Sequence, residues 1–116
     1  PDYKDGEQMR DFIYVKDIVA VCTWLMNNQP ASAIYNLGTG KARSFNTLVK
    51  STFAGLDMQP NIEFIDMPED IRDKYQYFTE ACMDKLKNAG YTKAFYTLED
   101  GVDDYVRNYL SKNIFY

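Results

Sequence analysis

Arg10 stands directly before a β-branched and aromatic run, FIYV, and is followed by Asp11. A planar five-donor guanidinium at a strand end suits bidentate capture of a phosphate or pyrophosphate. A surface arginine paired to Asp11 or Asp17 is the plainer alternative. Tyr75, Tyr77 and Phe78 fall in an irregular, charged stretch, where an aromatic ring stacks on a base or hydrogen-bonds a sugar. Tyr105 and Tyr109 lie on a helical stripe and read as core. Gly38-Thr39-Gly40 is only part of a phosphate cradle, since G-x-G-x-x-G requires glycine where Arg43 stands. The turn reads as structural, with a backbone amide contact to a ligand as the alternative. The chain has no histidine, which excludes Ser-His-Asp and Cys-His systems. Carboxylates, lysine and tyrosine remain as proton carriers, and spacing singles out none of them. Two cysteines do not make a four-thiolate zinc site.

The elements that must position these residues follow from periodicity. FIYV predicts a strand over 12–15. Asp17 stands as the N-cap of a helix whose buried stripe is Ile18, Val21, Cys22, Leu25 and Met26. Residues 33–37 (AIYNL) predict a second strand, ended by the two glycines. Ser44 caps a helix along Phe45, Leu48, Val49, Phe53 and Leu56, ended near Gly55. Residues 61–67 (NIEFIDM) alternate like a third strand, and 68–77 is irregular. Thr79 caps a helix with Cys82, Leu86 and Ala89 on one face and Gly90 after its end. Thr97 with Asp100 imitates a capping box that opens the last helix. The expected class is α/β: a small mixed sheet with helices, in the order β-α-β-α-β-α-α. Cys22 and Cys82 read as buried free thiols.

Composition sets the outer bounds. A chain of 116 residues has room for one domain with a real core. Its 46% hydrophobic and 26% charged content is that of a globular protein, which argues against disorder. Thirteen basic against seventeen acidic residues, with no basic cluster, argue against nucleic acid as partner. A small anion held by one or two cations stays open. No apolar run approaches the roughly eighteen residues that span a bilayer, so no membrane partner is expected. The first ten residues lack the apolar segment of a secretory leader, and the expected location is the cytoplasm. The abrupt start without methionine and the small element count lead to the expectation of a piece of a larger fold.

RDFIYVKDIVAV (10–21) followed by YNLGTGKARSF (35–45) resembles the carboxy-terminal part of the extended short-chain dehydrogenase/reductases that modify nucleotide sugars. DKYQYFTEACMDKLKNAGY (73–91) and FYTLEDGVDDYV (95–106) narrow the resemblance to the epimerases of ADP-heptose, whose pattern there is R-Y-Q-x-F-T, then a helix and A-G-Y. The resemblance covers nearly the whole chain. It implies that residues 1–116 are the substrate-binding domain of an extended Rossmann-type epimerase whose amino-terminal dinucleotide-binding domain lies elsewhere. It also implies NADP as cofactor, ADP-heptose or a related nucleotide sugar as ligand, and a role in lipopolysaccharide core synthesis. The implied chemistry is oxidation at C6 and return of hydride to the other face.

By the same resemblance Arg10 is the substrate arginine and Tyr75 the substrate tyrosine. Lys74 replaces the preceding arginine of the pattern, exchanging a planar fork for a point charge. Tyr3 and Lys4 lie in the loop that closes over substrate. The Tyr-x-x-x-Lys pair of these enzymes is not formed by Tyr14, Tyr35 or Tyr91, whose i+4 neighbours are Ile18, Thr39 and Phe95. No catalytic residue is therefore expected in this stretch, and the chain alone is expected to be inactive. A detached substrate domain uncovers apolar surface, from which self-association and a homo-oligomer are expected. Two rivals stay open: a UDP-hexose 4-epimerase or sugar-nucleotide dehydratase, and a stand-alone binding module without catalytic role.

Overall fold

Two helices begin where the sequence places a cap. The computed structural model describes residues 3–72 and 74–114. Strand β1 (Met9–Arg10) is followed by α1 (Val15–Asn28), β2 (Arg43–Ser44) and α2 (Phe45–Gly55). Then come α3 (Glu69–Arg72), α4 (Asp84–Asn88), α5 (Leu98–Asn108) and a 3-10 turn at Leu110–Lys112. Ser44 Oγ accepts the Thr47 amide at 3.2 Å and Thr97 Oγ1 accepts the Asp100 amide at 3.1 Å, so both expected caps form. The Asp100 carboxylate takes the Thr97 hydroxyl proton at 2.7 Å, where a full capping box would reach the backbone.

The fold is α/β with a very small mixed sheet. β1 and β2 pair antiparallel, with Met9 opposite Ser44 and Arg10 opposite Arg43, and Met9 also makes a parallel bridge to Phe78. The expected strand over 12–15 is not formed. Pairing moves back to Met9–Arg10, and Tyr14, extended at φ −78° and ψ 140°, becomes the cap of α1. Asp17 is therefore inside the helix; it is 4% exposed and accepts the Tyr96 amide at 3.0 Å. Burial pushes its carboxyl above the ordinary value, against the pull of that amide.

Residues 33–37 and 61–67 are likewise outside any ladder. In 33–37 the alternation is right, with Tyr35 and Leu37 turned toward the core and Ile34 85% exposed, but among the described residues no strand lies beside it. Thr79 does not cap a helix; its amide goes to the Met9 carbonyl at 3.2 Å, and α4 starts only at Asp84. The stretch 68–77, expected to be irregular, contains the single turn α3.

The core gathers Val21, Met83, Leu86 and Tyr91, with Trp24, Leu25, Tyr35, Leu37, Ala81 and Phe95 against it. The buried line of α1 is thus Asp17, Val21, Trp24 and Leu25. The other part of the expected stripe faces outward: Ile18 and Cys22 are exposed and Met26 is 75% exposed. Both cysteines are free and exposed, a correction to their expected burial. Helix α2 lies along α5, where Gly55 is buried close against Val106, and Arg107 ties Asp57 at 3.0 Å and Asp103 at 2.7 Å.

A second tie joins α1 to α5. Asp104 accepts from Lys16 Nζ and from the Tyr14 hydroxyl, both at 2.6 Å. The Lys16 ammonium, then the Tyr14 hydroxyl and the Asn108 amide, pull the Asp104 carboxyl from 3.8 down to about 2. A carboxyl lowered by folding stabilises above its unfolded value and loses that contribution as pH falls through the folded one. Stability is therefore expected to drop between pH 3.8 and about 2. In Lys16→Met, urea unfolding across that range should show a shallower acid limb; an unchanged limb would count against the tie.

Candidate functional site

Arg10 is placed by β1, and its surroundings differ from the surface pairing considered for it. Its Nη1 donates to its neighbour's carbonyl, Met9 O, at 2.8 Å. The guanidinium carbon lies 5.1 Å from the centre of the Tyr75 ring and 5.9 Å from that of Phe45. Among the described residues no carboxylate is within ion-pair distance of Arg10. Asp17 is committed to Tyr96, and Asp11 to the glycine turn. An aromatic seat fixes the plane of a guanidinium while leaving its hydrogen-bonding edge for an oxyanion.

Asp11 builds the frame behind Arg10. Its Oδ1 accepts the Thr39 amide at 2.7 Å and the Thr39 hydroxyl at 2.5 Å; its Oδ2 accepts the amides of Gly40 at 2.8 Å and Ala81 at 3.1 Å. Burial pushes the carboxyl up, but the Thr39 hydroxyl and the three amides together outweigh it and hold the group below its ordinary value. A Cβ on Gly38 would run into this carboxylate and into Ala81, and Gly40 sits at φ +71°. The turn is structural, as its glycines suggest. The Gly38 amide faces Met83 Sδ at 3.3 Å, so the amides at 38–40 are all taken within the chain. This turn does not fit a dinucleotide, and no other described segment has the glycine pattern of a phosphate cradle.

Tyr75 and Tyr77, two apart in an irregular segment that bends at Tyr77, meet edge to face at 5.3 Å and 79°. Tyr3 stacks on Tyr77 at 5.9 Å and 16°. Three of the four residues singled out in the sequence, Arg10, Tyr75 and Tyr3, thus join one chain of rings. Lys4 does not join them: it is exposed, and its carbonyl closes a turn by accepting the Glu7 amide at 3.0 Å. Lys74 is exposed. Tyr77 was grouped in the sequence with Phe78, but Phe78 is half exposed and is not among these ring contacts. Phe45 was read only as a helix-stripe residue. It packs edge-on against Phe12 at 5.4 Å and forms the second wall beside Arg10.

Comparison with known proteins gives the chain's relatives and its fold. The model of the NAD dependent epimerase/dehydratase family matches residues 2–38. The ADP-L-glycero-D-manno-heptose-6-epimerase of Nitratidesulfovibrio vulgaris (strain DP4) is 59% identical over 111 residues, 96% of this chain and 34% of that protein. That of Fusobacterium nucleatum subsp. nucleatum is 51% identical over 116 residues, 95% of this chain and 35% of that protein. A solved UDP-N-acetylglucosamine 4-epimerase from Methanobrevibacter ruminantium M1, in complex with UDP-N-acetylmuramic acid, shares the fold. Its TM-score is 0.74 at 22% identity, over 96% of this chain and 34% of that one. The chain spans about a third of the length of the curated relatives it matches. The chain is thus similar along nearly all of its residues to about a third of these epimerases, and over residues 2–38 to the NAD dependent epimerase/dehydratase family.

Proposed function

We propose that this chain supplies the nucleotide-sugar-binding part of an ADP-L-glycero-D-manno-heptose 6-epimerase, an isomerase acting in lipopolysaccharide core synthesis. The observation that carries the reading is the seating of the Arg10 guanidinium on Tyr75, in a chain 59% identical to an enzyme of that name. In this reading Arg10 takes the diphosphate, Tyr75 holds the guanidinium plane, and the loop of Tyr3 and Lys4 borders the ligand. The nicotinamide cofactor is NADP in this reading, held by other parts of the whole protein, as the resemblance to the nucleotide-sugar epimerases implies. The two unbridged, exposed thiols suit a reducing cytoplasm. The uncovered apolar line of Val15, Ile18, Val19 and Met26 suits burial against further polypeptide, and with it a homo-oligomer.

Calorimetric titration of the full-length protein tests the ligand. ADP-heptose is expected to bind at least about tenfold tighter than UDP-glucose, a difference of about 1.4 kcal/mol. Preference for the uridine nucleotide would replace the heptose reading with a UDP-hexose one. Failure to bind either would favour a non-catalytic module.

A further inference from the structure

We propose that Tyr77 is a positioning residue for this site, the joint that holds the Tyr3 loop beside Tyr75 and Arg10. The proposal rests on the nucleotide-sugar reading above. The R-Y-Q-x-F-T pattern leaves this position unspecified, so only the geometry assigns it.

The backbone of Tyr77 is fixed to the strand that carries the arginine. Its carbonyl accepts the Met9 amide at 2.8 Å, and two residues later the Thr79 amide returns to the Met9 carbonyl at 3.2 Å. The ring therefore stands at a set place next to Arg10. It presents its face to Tyr3, nearly parallel at 5.9 Å, and meets Tyr75 edge to face at 5.3 Å. Both separations are those at which aromatic pairs attract beyond simple burial. Tyr75 in turn faces the guanidinium at 5.1 Å. The order Tyr3, Tyr77, Tyr75, Arg10 is a continuous series of ring contacts from loop to cation.

Among the described residues, the loop's hydrogen bonds to α2 are made by 5–7, and Lys4 is tied only within the loop, to Glu7. The Asn46 amide donates to the Gly6 carbonyl at 2.9 Å, and Asn46 Nδ2 donates to the Asp5 carbonyl at 3.0 Å and to Glu7 Oε1 at 2.5 Å. These hold 5–7 against α2. Tyr3 lies beyond them and is held by its stack on Tyr77. Removing the Tyr77 ring thus frees Tyr3 and deprives Tyr75 of its lateral support, while the Arg10 guanidinium keeps its place over Tyr75 and Phe45.

The test uses the full-length protein, with ADP-heptose as probe in calorimetry and steady-state kinetics. Tyr77→Ala is expected to raise Kd and KM about tenfold while kcat stays within about twofold. Tyr77→Phe should restore the affinity, because the ring and not the hydroxyl makes both contacts. Tyr3→Ala together with Tyr77→Ala should be no weaker than Tyr77→Ala alone, the non-additivity of residues acting through one contact. Should Tyr77→Ala fail to fold, Tyr77→Leu keeps the bulk without the ring faces and is expected to show the same loss. An affinity within twofold of the parent in the folded Ala or Leu variant overturns the proposal. So does a Phe variant as weak as Ala, or a strictly multiplicative double variant. Arg10→Ala separates the two levels. If it abolishes binding while the Tyr77 variants do not weaken it, the joint is wrong and the site stands; if it has no effect, both readings fall.

Discussion

Arg10→Ala in the full-length protein is expected to weaken ADP-heptose binding about a hundredfold or more, while costing the fold only about 1 kcal/mol. The difference follows from what the guanidinium does with and without ligand. Without it, the side chain holds one hydrogen bond to Met9 O and two ring contacts, at 5.1 and 5.9 Å. Those are worth about 1 kcal/mol together in a half-buried setting. With a diphosphate, truncation removes a bidentate pair of charge-assisted hydrogen bonds, about 3 kcal/mol. Arg10→Lys should recover only part of the loss, since an ammonium keeps the charge but neither the fork nor the flat contact with Tyr75. Calorimetric Kd values beside urea unfolding midpoints check both halves. A variant that binds normally would remove Arg10 from the site.

Asp11→Asn is expected to be the most destabilising single change, by about 3 kcal/mol or more, although it alters one atom. The carboxylate accepts four hydrogen bonds, two on each oxygen. An Asn side chain can keep its oxygen toward Thr39, but its NH2 then faces the amides of Gly40 and Ala81, donor against donor. Two charge-assisted bonds are lost and two amides are left without their acceptor. Because Asp11 joins the 38–40 turn to Ala81 just beside Arg10 and the bridge to Phe78, the variant should also bind ligand less well wherever it still folds. Its pH dependence has a defined sign. The native carboxyl is lowered by folding, so its contribution is present above about 3.8 and is lost as pH falls below that. The variant should lack that part of the acid limb. Urea midpoints at pH 7 and pH 3 decide the matter; a midpoint unchanged at pH 7 would mean that Thr39, Gly40 and Ala81 find other acceptors at no cost.

The residues of the candidate site could be singled out in the sequence because their chemistry is intrinsic. A guanidinium beside an apolar run and a tyrosine two places from another tyrosine carry their possibilities in their side chains. Their meeting was not legible: nothing within a few residues of Arg10 points to Tyr75, and the resemblance named both without placing them in contact. Tyr77 shows the limit most clearly. Its identity suggested stacking, but its partner Tyr3 lies far away in sequence, near the start of the chain, and the bridge from Met9 to Phe78 brings the two together.

The sequence by itself determined the local events. Ser44 and Thr97 cap their helices through amides three residues on, and Gly90 follows α4 at φ +111°, all within one turn of backbone. Such contacts need no distant partner, so residue type and spacing suffice. Only the tertiary structure decided which face of α1 is covered, that Asp17 is buried against Tyr96 instead of capping, and that 12–15, 33–37 and 61–67 form no ladder. A strand is an interaction with another strand, and alternation prepares a segment for pairing without supplying the neighbour. A helix with apolar residues on two sides leaves its orientation to whatever packs against it. Here Met83, Leu86 and Tyr91 chose the side of Val21 and left Ile18, Cys22 and Met26 outside.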